Sequence, residues 1–264
     1  FSDTSGKTIK AFNSFKVFPV KIKQDDSYFR FPIKASVFYN SFTARNDHFS
    51  TVSAEVTGSG YLDINREHNL NFIVRGPKQE NLKRFAVTDQ YSLIYSYKDK
   101  TTLYLGDHSY YINRLGFNGK YGMGFRLDQD VENWTLSTFY NKPRLYDFDS
   151  EALYGVKASY FASKNLSTGV SLVKSKRVEN LTNTFVSNDS IEKGQIMTLN
   201  LDYLEKNTQL KAELSGSVTN KHADYATYFN LVQKLNNLTY SGNFTVAGKN
   251  YFGTLNNSIQ FSNS

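Results

Sequence analysis

The chain has 264 residues, of which 16% are aromatic and none is cysteine, and its formal net charge is +7. The lack of cysteine excludes disulfides and thiolate zinc sites. A mean hydropathy of −0.50, with no apolar run near the ~18 residues that a spanning helix needs, excludes a bundle of membrane helices. The positive charge is spread along the chain instead of clustered, so nucleic acid is not a predicted partner.

The chain opens with a polar segment, residues 1–16, that has no initiator Met and no apolar leader stretch. We interpret it as a polar lead-in, either left after removal of a signal peptide or belonging to a longer chain. Residues 17–264 are predicted to form one further unit, or part of a larger one.

Alternation of apolar and polar residues with period two dominates the rest of the chain. In the run 210–218, for example, Leu210, Ala212 and Leu214 alternate with Lys211 and Glu213, which is typical of strands with one apolar face. Comparable runs occur at 52–64, 70–74, 91–97, 134–140, 154–160, 166–172, 197–203, 238–246 and 251–261. The pattern predicts about fourteen strands or more. No window shows convincing helical periodicity, the nearest being 223–235.

The lengths of the runs and of their connections favour a membrane barrel over a soluble β-sandwich. Several runs reach the roughly nine to eleven residues that a tilted membrane strand needs. Short connections near 65–68, 98–101, 129–133, 163–165 and 205–208 alternate with longer ones near 76–90, 107–119, 141–151 and 176–194. Short turns on one side and longer loops on the other are typical of outer-membrane barrels. We therefore predict an all-β, antiparallel transmembrane β-barrel in a bacterial outer membrane, with the lipid bilayer as its partner. A soluble sandwich or adhesin module remains the alternative.

Seven charged residues fall on the polar side of these runs. Charge on an inward face is tolerated where that face is hydrated or internally paired. The predicted lumen-facing residues are Arg75, Arg126, Asp128, Lys157, Asp202, Lys211 and Glu213. Most of them are expected to pair with one another, and the rest would contribute to ion selectivity.

No enzyme site, metal site or cofactor is predicted. The four histidines, His48, His68, His108 and His222, lie at predicted turns or strand ends and are interpreted as solvated side chains without metal-binding spacing. Asp107, His108 and Ser109 are adjacent in sequence, whereas the members of a catalytic triad converge from separate places. We interpret Gly106-Asp107 as a device that ends a strand.

One stretch resembles the barrel of fimbrial outer-membrane ushers. Residues 101–127 read TTLYLGDHSYYINRLGFNGKYGMGFRL, and residues 36–46 read SVFYNSFTARN ahead of a strand through Gly58 and Gly60. The resemblance covers roughly residues 36–127 and rests on a strand ending in Leu-Gly-Asp, a loop, and a returning glycine-bearing strand. It implies a large barrel that exports and assembles surface subunits. The plug, the amino-terminal chaperone-binding domain and the carboxy-terminal domains of ushers have no counterpart in this sequence.

Three functions remain open from the sequence. The first is transport or export across the outer membrane, with an exported polypeptide as the partner if the usher resemblance holds. The second is a porin-like channel for small solutes, which the charged inward face favours. The third is a structural barrel that belongs to a larger complex with other envelope proteins.

Overall fold

The computed structural model describes residues 27–44, 47–77, 89–117, 119–144, 150–179 and 190–253. One short helix, α1 (Ser27–Arg30), precedes an antiparallel sheet of 13 strands, each paired with the next in the chain. The strands are β1 Ile33–Ala44, β2 Asp47–Tyr61, β3 His68–Gly76, β4 Gln90–Tyr97, β5 Thr101–Tyr110, β6 Lys120–Val131, β7 Trp134–Pro143, β8 Ser150–Phe161, β9 Leu166–Glu179, β10 Ser190–Glu205, β11 Thr208–Thr219, β12 Ala223–Leu235 and β13 Leu238–Ala247. The predicted all-β antiparallel fold is confirmed. Among the described residues, no helix is long and apolar enough to cross a membrane.

The strand boundaries differ from the sequence prediction in two places. Residues 62–64, predicted to continue a strand, belong to the turn between β2 and β3. Residues 251–253, predicted to open a last strand through residue 261, form no strand and turn inward. The remainder of that predicted strand and the lead-in at residues 1–16 lie outside the described residues.

The connections alternate in length as the sequence predicts. One end of the sheet carries the links 62–67, 98–100, 132–133, 162–165, 206–207 and 236–237. The other end carries the longer links 77–89, 111–119, 144–149 and 180–189, together with the short links 45–46 and 220–222. We call these the short-turn end and the long-loop end.

The two faces of the sheet differ in burial although each strand alternates regularly. On β10, Thr198 is 1% exposed, whereas Met197 and Leu199 on either side of it are 53% and 50% exposed. Because paired residues share a face in an antiparallel sheet, the register places Thr198 between Ser171 of β9 and Ser215 of β11. We call this buried side the inner face, and the apolar, exposed side the outer face.

The sheet curves strongly around its inner face. The backbone and side chains of residues 111–117, between β5 and β6, contact Ser171 on β9, Glu213 on β11 and Tyr228 on β12. In a flat sheet β12 would lie six strand spacings, or about 29 Å, from β6, beyond the reach of so short a segment. Within the described residues β1 pairs with β2 alone and β13 with β12 alone.

The hydrophobic core lies inside this curve, not between two layers. Its buried members are Tyr110, Ile112, Phe117, Phe139, Leu153, Val173, Ile196 and Phe252, with Leu115, Ala226 and Tyr228 forming a second cluster beside them. On the outer face of β10 and β11, by contrast, Leu199 and Leu214 are exposed. The sheet is therefore packed from within by a segment of its own chain.

Candidate functional site

Residues 111–117 form a compact segment on the inner face, which we call the inner loop. Asn113 closes it, since its Oδ1 accepts hydrogen bonds from the backbone N–H of Gly116 at 2.5 Å and of Phe117 at 3.2 Å. The backbone N–H of Ile112 donates to the carbonyl of Phe117 at 3.0 Å. An asparagine side chain that bonds the backbone a few residues on is a common way of stabilising a tight turn. The inner loop is therefore a fixed element.

Glu213 of β11 holds the middle of the inner loop. One carboxylate oxygen accepts the backbone N–H of Arg114 at 3.0 Å and the other that of Leu115 at 2.8 Å. Hydrogen bonds to an ionised acceptor are stronger than those between neutral groups. Glu213 therefore fastens the loop to a strand far from it in sequence.

Two cations hold the first part of the inner loop. Lys157 Nζ of β8 donates to the carbonyl of Ile112 at 3.1 Å, and Arg126 NH1 of β6 donates to that of Tyr111 at 2.8 Å. Since Glu213 and these two cations bond main-chain groups, they fix the position of the loop whatever its side chains are.

Aromatic contacts hold the inner loop at its last residue and at its middle. The ring of Phe117 stacks on that of Phe139 with centroids 5.3 Å apart, and both side chains are fully buried. At the other side the guanidinium of Arg114 lies 4.3 Å from the ring centre of Tyr228, a favourable cation–π distance. The Phe117 side of the loop is therefore apolar and the Arg114 side is charged.

The chain after β13 also packs on the inner loop. The hydroxyl of Tyr251 donates to Ser215 Oγ at 2.6 Å and to the carbonyl of Leu115 at 3.2 Å, and Phe252 joins the core. The alternating run at 251–261 predicts that Tyr251 opens a strand, and this prediction is wrong. Its hydroxyl finds partners inside the curve, beside the row of small polar side chains at Ser171, Thr198 and Ser215.

A cavity of about 510 Å³ lies beneath the inner loop, towards the short-turn end. We call it the charged cavity. Its walls carry four cations, Arg114, Lys157, Lys164 and Lys211, and two carboxylates, Asp202 and Glu213. Four positive and two negative charges leave a formal excess of +2. Tyr111, Phe161, Tyr203 and Tyr228 supply aromatic wall.

All seven charged residues singled out by the sequence lie on the inner face, as the strand registers show: Arg75, Arg126, Asp128, Lys157, Asp202, Lys211 and Glu213. Four of them, Lys157, Asp202, Lys211 and Glu213, line the charged cavity. Arg126 reaches the inner loop, and its Nε bonds Asp128 on the same strand at 2.8 Å. Arg75 lies apart from this group, on β3, and its Nε donates to Glu55 of β2 at 2.7 Å.

The expected mutual pairing of these charges holds for only some of them. Arg126 pairs with Asp128, but Lys157 and Glu213 bond the backbone of the inner loop, and Asp202 accepts from Asn200 Nδ2 at 3.1 Å. Lys211 lies opposite Asp202 in the register, yet no ion pair within the described residues involves it. The cause is the inner loop, which offers backbone donors and acceptors that the sequence pattern does not place.

Sequence reasoning missed a second polar cluster, near the long-loop end. Arg144 NH1 bonds both carboxylate oxygens of Asp107, at 2.8 and 2.9 Å, and its NH2 bonds Asp89 at 2.6 Å. Asp107 also accepts the backbone N–H of Tyr91 at 2.8 Å. A doubly bonded arginine fixes both geometry and charge. This cluster joins β4, β5 and the end of β7.

The environment of Asp107 corrects two sequence interpretations. Gly106-Asp107 does not end a strand, because β5 continues to Tyr110. Gly106 has a φ of +84°, a region that glycine enters without strain, and its Cα lies against the carbonyl of Tyr91 where a Cβ would collide. His108 is within the strand and partly buried, with Nε2 2.9 Å from the carbonyl of Leu105, so it is not a solvated loop residue.

No protein-family model matches the chain, and no curated protein is significantly similar to it in sequence. Similar solved structures include the anion-selective porin from Comamonas acidovorans, which is 10% identical with a TM-score of 0.46 over 82% of this chain and 79% of that one. OmpT, an outer membrane protein of Vibrio cholerae, is 10% identical with a TM-score of 0.38 over 82% and 88%. Salmonella typhi OmpF, in complex with daunomycin, is 12% identical with a TM-score of 0.38 over 85% and 93%.

Similarities at this level carry no argument about function, which has to come from the two faces of the sheet. They also give no support to the usher resemblance of residues 36–127. That resemblance requires a strand that ends in Leu-Gly-Asp, whereas β5 continues past these residues to Tyr110.

Proposed function

We propose that this protein is a β-barrel of a bacterial outer membrane that lets small polar solutes pass along its inner face. The observation that carries the proposal is the contrast between the two faces. Apolar side chains such as Met197, Leu199 and Leu214 are about half exposed on the outer face, at 53%, 50% and 54%. In water such a band would be costly, whereas acyl chains solvate it, and strands β2–β12 are each hydrogen-bonded to a neighbouring strand on both sides. The lipid bilayer is then the principal partner.

The strand lengths fit this placement. β10 has 16 residues and β11 has 12, enough to cross a hydrocarbon core that needs about nine to eleven tilted strand residues. We also propose that the sheet closes into a barrel, that residues 17–264 form a single domain, and that the protein catalyses no reaction. The short-turn end faces the periplasm if the usual arrangement of outer-membrane barrels applies.

The inner face supports passage of small solutes better than export of a polypeptide. The inner loop and the core around Phe117 occupy the space inside β7–β12, which we call the packed half. Strands β1–β4, the open half, carry Lys34, Thr57, Ser59 and Asn71 around a separate cavity of about 390 Å³. A space of this size suits a small solute, whereas a folded subunit would require the inner loop to leave. A structural role in a larger envelope complex has no observation of its own in favour of it.

Reconstitution into planar bilayers and liposomes tests the proposal. We expect the protein to require detergent for extraction, to conduct ions, and to let small sugars swell liposomes. Ser92→Trp, which places a large ring in the open half, is expected to lower conductance. Leu214→Trp, on the outer face, is the matched control and is expected to leave conductance unchanged.

Three outcomes would contradict the proposal. Solubility without detergent would mean that the outer face packs against protein and not lipid. Conductance that is unaffected by Ser92→Trp would place the route elsewhere. An intact protein that excludes sugars but co-purifies in fixed ratio with an exported polypeptide would favour export.

A further inference from the structure

We propose that the charged cavity is a binding site for a small organic dicarboxylate, entered from the short-turn end and closed at its inner end. This goes beyond solute passage, because a route must be open at both ends and a binding site need not be. The inference depends on the fold of the inner face and not on conduction.

The first support is closure of the cavity towards the long-loop end. Above the charged cavity the inner loop packs into the core through Phe117, Phe139 and Val173, which are 0%, 2% and 0% exposed. Core residues pack at a density that leaves few voids larger than a water molecule. The cavity wall on the opposite side includes Lys164 and Asn165, which belong to the turn between β8 and β9. Lys164 and Asn165 therefore place the proposed entrance at the short-turn end.

The second support is that, among the described residues, no carboxylate lies within ion-pair distance of the cations of the charged cavity. Three other arginines are paired with carboxylates: Arg75 with Glu55, Arg126 with Asp128, and Arg144 with Asp89 and Asp107. In the part of the chain that the structure describes, no ion pair involves Arg114, Lys157, Lys164 or Lys211.

The two carboxylates of the cavity have other partners. Glu213 bonds two backbone N–H groups of the inner loop and Asp202 bonds Asn200. Neighbouring like charges without a counterion repel one another. A bound dianion would compensate the formal excess of +2.

The third support is the shape and chemistry of the wall. Arg114 is held by Tyr228, with its guanidinium carbon 4.3 Å from the ring centre, and its planar fork suits bidentate contact with a carboxylate. Tyr111, Phe161 and Tyr203 give the cavity an apolar portion. Pockets that bind small molecules typically combine apolar walls with a few placed polar groups. This combination favours a carboxylate carried on an apolar or aromatic body over a bare inorganic anion.

Calorimetry on the folded protein in detergent tests the site with phthalate as the probe. We expect saturable binding of phthalate, no binding of its uncharged analogue phthalamide, and weaker binding at 1 M salt, where charges are screened beyond about 3 Å. Lys211→Gln is expected to weaken phthalate binding about tenfold, the loss typical of one charge-assisted contact. In the described residues the Lys211 side chain forms no hydrogen bond or ion pair, so this variant should fold normally.

Lys34→Gln is the matched control, since Lys34 is also an exposed lysine of the inner face but lines the cavity of the open half. We expect it to leave phthalate binding within about twofold, the range of substitutions outside a contact. Absence of saturable binding would overturn the inference, as would equal losses in Lys211→Gln and Lys34→Gln, or phthalamide binding as tightly as phthalate. A protein that conducts without binding phthalate contradicts this site alone, and one that binds without conducting contradicts only the proposed function.

Discussion

The packed half and the open half of the sheet follow the same alternating pattern, yet their inner faces differ in burial. In the packed half Phe139, Val173 and Ile196 are 2%, 0% and 2% exposed, whereas Phe38 of β1, in the open half, is 43% exposed. Strand periodicity decides which side chains share a face. What covers that face is decided by a segment from elsewhere in the chain, here the inner loop.

Small hydroxyl side chains of the packed half bond the inner loop and the chain after β13. Ser171, Thr198 and Ser215 are neighbours across β9, β10 and β11, and these small hydroxyl side chains leave room for the loop and offer it partners. Asn113 donates to Ser171 and Tyr251 to Ser215. The open half places longer polar side chains, Glu55 and Arg75, at the inner face instead. There the space is occupied by an ion pair and not by the loop.

The largest expected effect comes from removing the same side chain in the two halves. Phe117→Ala deletes a fully buried ring that stacks on Phe139, and we expect it to lower the free energy of unfolding by about 3–5 kcal/mol. Phe38→Ala, on the same face but 43% exposed, is expected to cost less than about 1 kcal/mol. Urea unfolding in detergent, followed by tyrosine and tryptophan fluorescence, measures both.

Similar losses for the two phenylalanines would break the comparison, because the open half would then have to be packed as densely as the other. If Phe117→Ala lowers the free energy of unfolding and also raises the conductance, the comparison between the two halves becomes sharper. That result would show that the core around the inner loop is also what narrows the interior.

The second prediction concerns how the inner loop is held. Glu213→Ala removes the acceptor for two backbone N–H groups, those of Arg114 and Leu115. We expect a loss of about 1–3 kcal/mol in the free energy of unfolding, since donors left without a partner carry a desolvation cost. Hydrogen exchange should show faster exchange at these two amides.

Glu55→Ala in the open half is the matched control, because Glu55 bonds only the side chain of Arg75 in the described residues. A partly exposed ion pair contributes about 0–1 kcal/mol, and the amides of the inner loop should be unaffected. An unchanged exchange rate at Arg114 and Leu115 in Glu213→Ala would show that the loop is held by its aromatic contacts alone.

The sequence was sufficient for the faces of the sheet but not for what lies on them. The alternation at 197–203 predicts that Leu199 and Thr198 point to opposite faces, because period two is a property of the strand itself, and the structure confirms it. No comparable local pattern in the sequence indicates towards which face residues 111–117 fold. Asn113 and Gly116 indicate a turn, but neither indicates that the turn folds inward.

Long-range contacts also explain the misplaced residues. Tyr251 and Gly253 fit an alternating run, yet the partners of Tyr251 are Ser215 and Leu115, which no pattern around residue 251 identifies. Arg114 was missed for the same reason, since its role depends on Tyr228. Residues whose environment is set by a distant segment are the ones that periodicity cannot assign.

A third, smaller prediction separates the contribution of the Tyr251 hydroxyl from that of its ring. Tyr251→Phe keeps the ring and removes the hydroxyl that bonds Ser215 and the carbonyl of Leu115. We expect a loss of about 0.5–1.5 kcal/mol, because Ser215 keeps a second partner in Thr198 at 2.8 Å. Ser241→Ala on exposed β13 is the control and should be neutral in the same urea titration. A loss as large as that of Phe117→Ala would mean that residues 251–253 hold the inner loop in place.

The smallest effect is expected at the short-turn end of the open half, where a side-chain cap and not the core holds the chain. Asp63 accepts the backbone N–H groups of His68 at 2.9 Å and of Glu67 at 3.2 Å, and the bond from His68 holds the pKa of the Asp63 carboxyl below its ordinary value of 3.8. A lowered pKa means that the folded state favours the carboxylate, so this stabilisation is present above pH 3.8 and is lost as the pH falls through the lower folded value. Hydrogen exchange at His68 should therefore lose protection in acid, and Asp63→Asn should remove that pH dependence. Acid loosening at His68 that persists in Asp63→Asn would contradict the role of this side-chain cap.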